Sequence, residues 1–302
     1  MIPSGKPIAS GQDVLPYLAR EYRQLYLSPG EEGKQHYEQV VRGGKKPPGE
    51  SLSHFHMDER DVIDMEQTPA GSVLLTVLHD RRDFETFLQI MTGKCVPYEV
   101  PATQGAAIID GVINWNRINA HKDAWFAEEM AKGNLLPDWG EEMKRFTSVK
   151  SNYLDAIILL SSGPYSGIPA KEAGFGEKEW LDASLQIRKY HECTHFVCRR
   201  LFPEKKDVIW DELVADAEGI FDTFGRFDLQ MEELFLGINE TGYTGGRLAN
   251  YADSREEDLD ELAKKCHRTL LRFAEAADAL GKMKPFALAV WLEERKEALS
   301  CL

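Results

Sequence analysis

The 302-residue chain has few cysteines, no long apolar run and a shortage of positive charge. Five cysteines (Cys95, Cys193, Cys198, Cys266, Cys301) are odd in number and widely spaced. That pattern suits reduced thiols and a cytoplasmic protein better than a disulfide framework. No stretch reaches the length of a membrane span, and Met1 to Gln12 lacks the apolar segment of a secretory signal. Lys and Arg number 36 against 50 Asp and Glu, a net charge of −14. Such a chain repels phosphate backbones, so nucleic acid is not an expected partner, and without a spanning run neither is a membrane. Internal repeats and low-complexity tracts are also missing. What remains, 43% hydrophobic and 28% charged residues, is the composition of a folded globular protein.

Periodicity predicts an α+β chain, mixed α/β in its first half and predominantly helical in its second, with a boundary near residue 150. Residues 13–27 have helical spacing, whereas Ser28 to Ser53 reads as a polar loop. Ser72 to Leu78 reads as a strand, and Arg81 to Met91 as a helix ended by Gly93. Tyr98 to Trp115 reads as extended pieces joined by turns. Helices are predicted over 122–132 and 139–148, and a strand over Ala156 to Leu160 running into a turn. Further helices are expected over 177–202, 209–222, 227–237, 255–280 and 285–299.

The chemistry concentrates in Tyr190-His191-Glu192-Cys193-Thr194-His195-Phe196, which contains H-E-x-x-H. Positions i and i+4 share a helix face, so both imidazoles can meet one metal ion. Glu192 sits about 100° round the helix from His191. It can miss the metal and still take a proton from a water that the metal acidifies. Glu177 and Glu179 at the start, Arg199 and Arg200 near the end, and Pro203 beyond mark a helix here. Trp180, Ser184, Ile187, His191, His195 and Cys198 fall on one face of it.

A catalytic zinc ion needs a third protein ligand and one open position. Downstream, Glu212 and Asp216 are four apart in Asp211-Glu212-Leu213-Val214-Ala215-Asp216. Glu212 can be that ligand, and Asp216 can accept the distal N–H of a ligand histidine. H-E-C-T-H followed by E-L-V-A-D resembles the gluzincin class of zinc metallopeptidases, the thermolysin-like proteins. The resemblance covers 190–219. It implies a zincin-like active-site helix, zinc ligands His191, His195 and Glu212, base Glu192 and supporting Asp216. Sixteen residues separate His195 from Glu212, fewer than in the best-known members. Asp207, Asp211 and Asp216 therefore stay open as other carboxylates for the third place. The resemblance also implies that the strand at 156–160 is an edge strand pairing with an extended substrate peptide. On this reading 1–150 is a mixed α/β region and 151–302 a zincin-like strand plus helical metal-binding region.

Other signals are weaker. His54-Phe55-His56-Met57-Asp58 has an HxHxD spacing but no preceding apolar strand, and reads as a solvated loop. Glu192-x-x-His195 is formally a di-iron E-x-x-H, yet no second copy exists. Cys95 does not sit in the segment that peptide deformylases use. Cys193 points away from the histidines on the helix, and Cys198 reads as a packing residue. Gly242-Tyr243-Thr244-Gly245-Gly246-Arg247 reads as an interhelical turn from which Tyr243 or Arg247 can steady an oxyanion. The Asp253 to Glu261 run reads as a solvated helix start. The expected function is zinc-assisted hydrolysis of a peptide or protein substrate. A zinc hydrolase of small non-peptide amides, or a non-catalytic helical interaction protein, are the other classes.

Overall fold

In the computed structural model, residues 7–204, 207–252, 258–281 and 283–302 are described. The first half holds β1 (Ala9–Ser10), α1 (Val14–Glu21), α2 (Glu31–Val41), β2 (Val62–Thr68), β3 (Gly71–Leu78), α3 (Arg81–Met91), β4 (Ala106–Ile113), α4 (Trp115–Ala131) and α5 (Trp139–Thr147). After β5 (Leu154–Ser161) come α6 (Ala170–Ala173), α7 (Glu177–Leu201), α8 (Val208–Phe224) and α9 (Leu229–Leu236). A short hairpin, β6 (Ile238–Asn239) and β7 (Gly242–Tyr243), then leads to α10 (Leu259–Leu280), α11 (Ala287–Glu294) and α12 (Lys296–Leu299). The fold is mixed α and β with a helical C-terminal half. No helix among the described residues is long and apolar enough to cross a membrane.

Five strands form one sheet in the order β1-β2-β3-β5-β4. β2 and β3 make an antiparallel hairpin that turns at Gly71, whose φ of +104° favours glycine. β3 pairs with β5 in parallel, and β4 closes the far side antiparallel to β5. The inner place of β5 explains its unbroken Ala-Ile-Ile-Leu-Leu run, because both of its faces are covered. Ile157 and Leu159 pack with α1, α2 and α3. Ile158 and Leu160 pack with Cys193, Phe196 and Val197 of α7. A separate helical core gathers Trp210 and Leu213 of α8, Leu270 and Phe273 of α10, and Leu288 and Leu292 of α11.

Several expectations need correcting. Ser28 to Ser53 is not all loop: α2 forms there, burying Tyr37 and Val40 on one side of an otherwise polar helix. The strand at 156–160 is not an edge strand; the sheet's edge beside it is β4. β2 was hidden by its polar alternation, and α4 begins at Trp115 rather than near 122. Residue 150 falls between α5 and β5, and the sheet runs across it, pairing β5 with β3 and β4. The helix expected over 285–299 is two, α11 and α12. Residues 253–257 of the acidic run lie outside the described residues. Asp258 caps α10, and Asp260 and Glu261 fill its first turn.

Candidate functional site

α7 carries the H-E-x-x-H segment midway along its 25 residues, with Glu177 and Glu179 in its first turn and Arg199 and Arg200 in its last. Each charge lies where the helix dipole favours it. Trp180, Ser184, Ile187, His191, His195 and Cys198 are all buried, so the anticipated stripe faces the interior. α8 crosses α7 at close range. A Cβ on Gly219 would lie 2.9 Å from the Ile187 carbonyl oxygen, so only glycine permits this approach. Glu212 and Asp216, on the same side of α8, are thereby presented to the two histidines.

Three side chains converge. His191 Nε2 and His195 Nε2 are 3.0 Å apart, His195 Nε2 lies 3.3 Å from Glu212 Oε1, and His191 Nε2 lies 3.5 Å from Glu212 Oε2. Ligands about 2.0–2.1 Å from a tetrahedral zinc ion stand about 3.3–3.4 Å from one another, so the spacing fits that ion. Asp207, Asp211 and the two cysteines are not in this group. Cys193 and Cys198 point into separate apolar cores, where burial pushes both thiols well above their usual range.

Behind His191 stands a buried network. Its Nδ1 faces Asp216 Oδ1 at 2.7 Å and the Tyr165 hydroxyl at 2.9 Å. A carboxylate only accepts, so Nδ1 carries the proton and the Nε2 lone pair is left for the centre. Tyr165 donates to Asp216 Oδ1 at 2.6 Å, and Arg247 pairs with Asp216 Oδ2 while donating to the Tyr165 oxygen at 3.1 Å. Burial favours neutral Asp216, but Arg247 and His191 together hold its carboxyl below the usual range. Burial would likewise raise Glu212, yet His195 and His191 hold it well below the ordinary carboxylate value. For His191, burial is outweighed by Asp216, and its pKa rises.

A cavity of about 1070 Å³ opens over the triad, lined by α7 residues Arg188, His191, Glu192, His195 and Arg199 and by the start of β4 at Gly105–Ala107. Glu192 is half-buried on its wall. Arg247 lines it too, with both terminal nitrogens engaged by Asp216 and Tyr165. Tyr243 does not reach it, which corrects the expectation for that residue. Its hydroxyl donates to the Gly246 carbonyl at 2.8 Å and accepts the Gly246 N–H at 2.9 Å. The Gly-rich segment is a tight packing element: a Cβ on Gly246 would lie 2.6 Å from Gly237 Cα. Tyr251, missed in the sequence, lines the cavity and hydrogen-bonds Glu212.

Tyr165 and Arg188 were missed as well. Arg188 had a readable signal, since 188, 191, 192, 195 and 199 follow helical spacing along one face. Tyr165 had none beyond its place in the turn after β5. The HxHxD segment is structural. Asp83 accepts the backbone N–H groups of His56 and Met57, each at 2.8 Å, and His54 Nε2 faces the Leu25 carbonyl. His56, Asp80 and Asp83 form a second convergent trio, but Asp83 is occupied by that loop and His56 is exposed.

A family model described as "Family of unknown function (DUF7005)" matches residues 8–296. No curated protein and no solved structure matches the chain.

Proposed function

We propose that this chain, which belongs to the DUF7005 family, is a zinc-dependent hydrolase that cleaves peptide bonds, with His191, His195 and Glu212 as metal ligands and Glu192 as general base. The observation that carries the reading is the convergence of His191, His195 and Glu212, whose nearest nitrogen and oxygen atoms lie 3.0–3.5 Å apart pair by pair, on a cavity wall that also holds Glu192. When bound, a divalent ion supplies Lewis acidity, lowering the pKa of water and polarising a carbonyl. Glu192 takes the proton released as water attacks the substrate carbonyl and returns it to the leaving amine. Asp216 and Tyr165 hold the His191 ring with its Nε2 lone pair turned to the centre. Tyr251 donates its O–H to Glu212 and so helps to hold that carboxylate in place. Arg247 keeps Asp216 charged, which replaces the direct oxyanion role expected of it.

A peptide is favoured over a small amide because β4, the sheet's edge, lines the cavity at Ala106 and Ala107. An extended chain can add there as a further strand. The proposed compartment is the cytoplasm, in keeping with five free cysteines, and neither nucleic acid nor membrane is a proposed partner.

Elemental analysis of gently purified protein tests the reading. One zinc per chain is expected, lost in His195→Ala. Glu192→Gln is expected to keep the metal and lose turnover by on the order of 10²–10⁴-fold against a peptide library. A protein that neither retains nor takes up stoichiometric metal would instead support a non-catalytic helical interaction protein.

A further inference from the structure

Arg188 stands one turn before Glu192 on the cavity face of α7 and is only 5% exposed. Its Nη1 donates to the Ser161 carbonyl at 2.8 Å, and its Nη2 lies 3.1 Å from the carbonyls of both Gly163 and Pro164. Its Cζ is 5.7 Å from the centre of the Tyr165 ring. All of these partners are neutral. Among the described residues no carboxylate forms an ion pair with Arg188. A guanidinium has five N–H groups, so Nε–H and one Nη1–H remain without an acceptor. Burial pushes its pKa down to about 10, which leaves it charged at neutral pH.

A buried cation whose hydrogen bonds all go to carbonyl dipoles, with the Glu192 charge one turn away acting on it only through space, is costly to hold, and its open side is the cavity. The other wall is shaped to it. A Cβ on Gly105, the residue before β4, would come within 2.6 Å of Arg188 Nε, so the lack of a side chain there leaves the guanidinium its place. Ser166, whose hydroxyl oxygen is buried with no hydrogen-bond partner, lines the same cavity. The neighbouring cation, Arg247, is already neutralised by Asp216. A peptide extended beside Ala106 and Ala107 therefore runs past Glu192 to a guanidinium at Gly105 that makes no ion pair among the described residues.

We propose that the cavity selects peptides bearing a carboxylate and that Arg188 is the residue that receives it, an inference that rests on the peptidase reading for the nature of the substrate. The carboxylate comes either from a free peptide C-terminus or from an acidic side chain, since both present the same two oxygens to the guanidinium.

Equilibrium binding separates these sources without relying on turnover. Three N-acetylated alanine pentapeptides are titrated into zinc-loaded Glu192→Gln protein: one ending in a carboxamide, one ending in a free carboxylate, and one carboxamide peptide with a central glutamate. At least one carboxylate peptide is expected to bind on the order of tenfold to a hundredfold tighter than the neutral one. Tighter binding of the free-ended peptide assigns Arg188 to the C-terminus; tighter binding of the glutamate peptide assigns it to a side chain. Adding Arg188→Gln should abolish the preference, bringing the carboxylate peptides to the affinity of the neutral one. Arg199→Gln, at the cavity's other end, should leave the preference intact. Should Arg188→Gln fail to fold, Arg188→Lys keeps the charge with fewer donors and is expected to reduce the preference severalfold. Equal binding of all three peptides, or a preference that follows Arg199 and not Arg188, overturns the proposal. Absence of zinc or of any peptide cleavage by the unmutated protein overturns the peptidase reading, whereas equal cleavage of neutral and acidic peptides overturns this inference alone.

Discussion

Asp216 has no exposed surface and takes three donors at once: His191 Nδ1–H and the Tyr165 O–H on one oxygen, Arg247 on the other. Its negative charge is what makes a buried Arg247 tolerable. Asparagine there keeps the shape but loses the charge, and it turns N–H groups toward a guanidinium or an imidazole. Breaking a buried pair in this way costs about 3–5 kcal/mol. Loss of the group that orients a ligand histidine lowers metal affinity about 10–100-fold. Asp216→Asn is therefore expected to show both losses, in denaturant unfolding and in competition with a zinc chelator. Tyr165→Phe removes one hydroxyl and leaves the ion pair, so its cost should be smaller, about 1–3 kcal/mol. An Asp216→Asn protein as stable as its parent would mean that the Arg247 charge is balanced elsewhere.

At the level of elements, the site exists because α7 and α8 approach closely enough for Glu212 to meet two imidazoles. Gly219 sets that distance, with Ile187 backbone as the opposing wall. Gly219→Ala gains up to about 1 kcal/mol in helix propensity but overpacks a contact that cannot rotate away, at about 1–3 kcal/mol. Glu212 lies two turns earlier on the same helix, so a slight parting of the helices withdraws it from His191 and His195. Zinc affinity should fall by a larger factor than folding stability, which chelator competition and melting of one sample can compare; equal wild-type and variant affinities would show that α8 pivots without moving Glu212. The H-E-x-x-H and E-x-x-x-D pairs were legible because their geometry is local, fixed by i, i+4 spacing on a single helix. Tyr165 meets His191 from 26 residues upstream, through a turn whose path no periodicity encodes. The inner place of β5 was equally illegible, since strand order depends on which distant partners pair. α2 escaped notice because its buried side is narrow and its remaining positions are polar.

Across the molecule, the sheet and the helical core are joined at α11. Phe286 packs on the sheet side with β5 and α7, while Leu288, Ala289 and Leu292 pack into the core of α8 and α10. The start of α11 is held by two acids of α8. Glu218 accepts the N–H groups of Phe286 and Ala289, and Asp222 accepts that of Phe286 at 3.1 Å. This clamp fixes Phe286 at φ +64°, a conformation side chains seldom adopt. Both carboxyls meet at the Phe286 N–H, and two like charges held so close favour a proton shared between them. Burial raises both pKa values, and the charge on Asp222 adds to the rise at Glu218; Lys189 draws Asp222 down and Glu66 pushes it up. A carboxyl raised on folding makes the native state bind more protons than the unfolded chain, from about pH 4 up to the raised value. Stability carried by the clamp is thus full at low pH and declines as pH rises through that window, by at most about 1.4 kcal/mol per pH unit for one proton. Asp222→Asn supplies a permanent N–H donor to Glu218 in place of the titrating proton. The variant is expected to be less stable than wild type, or equal to it, near pH 5 and more stable at pH 8. Subtracting the two unfolding curves cancels titrations elsewhere, including those of Glu212 and Asp216, which run in the opposite sense. Parallel curves from pH 5 to 8 would show that no proton is shared and that the two cores are joined by packing alone.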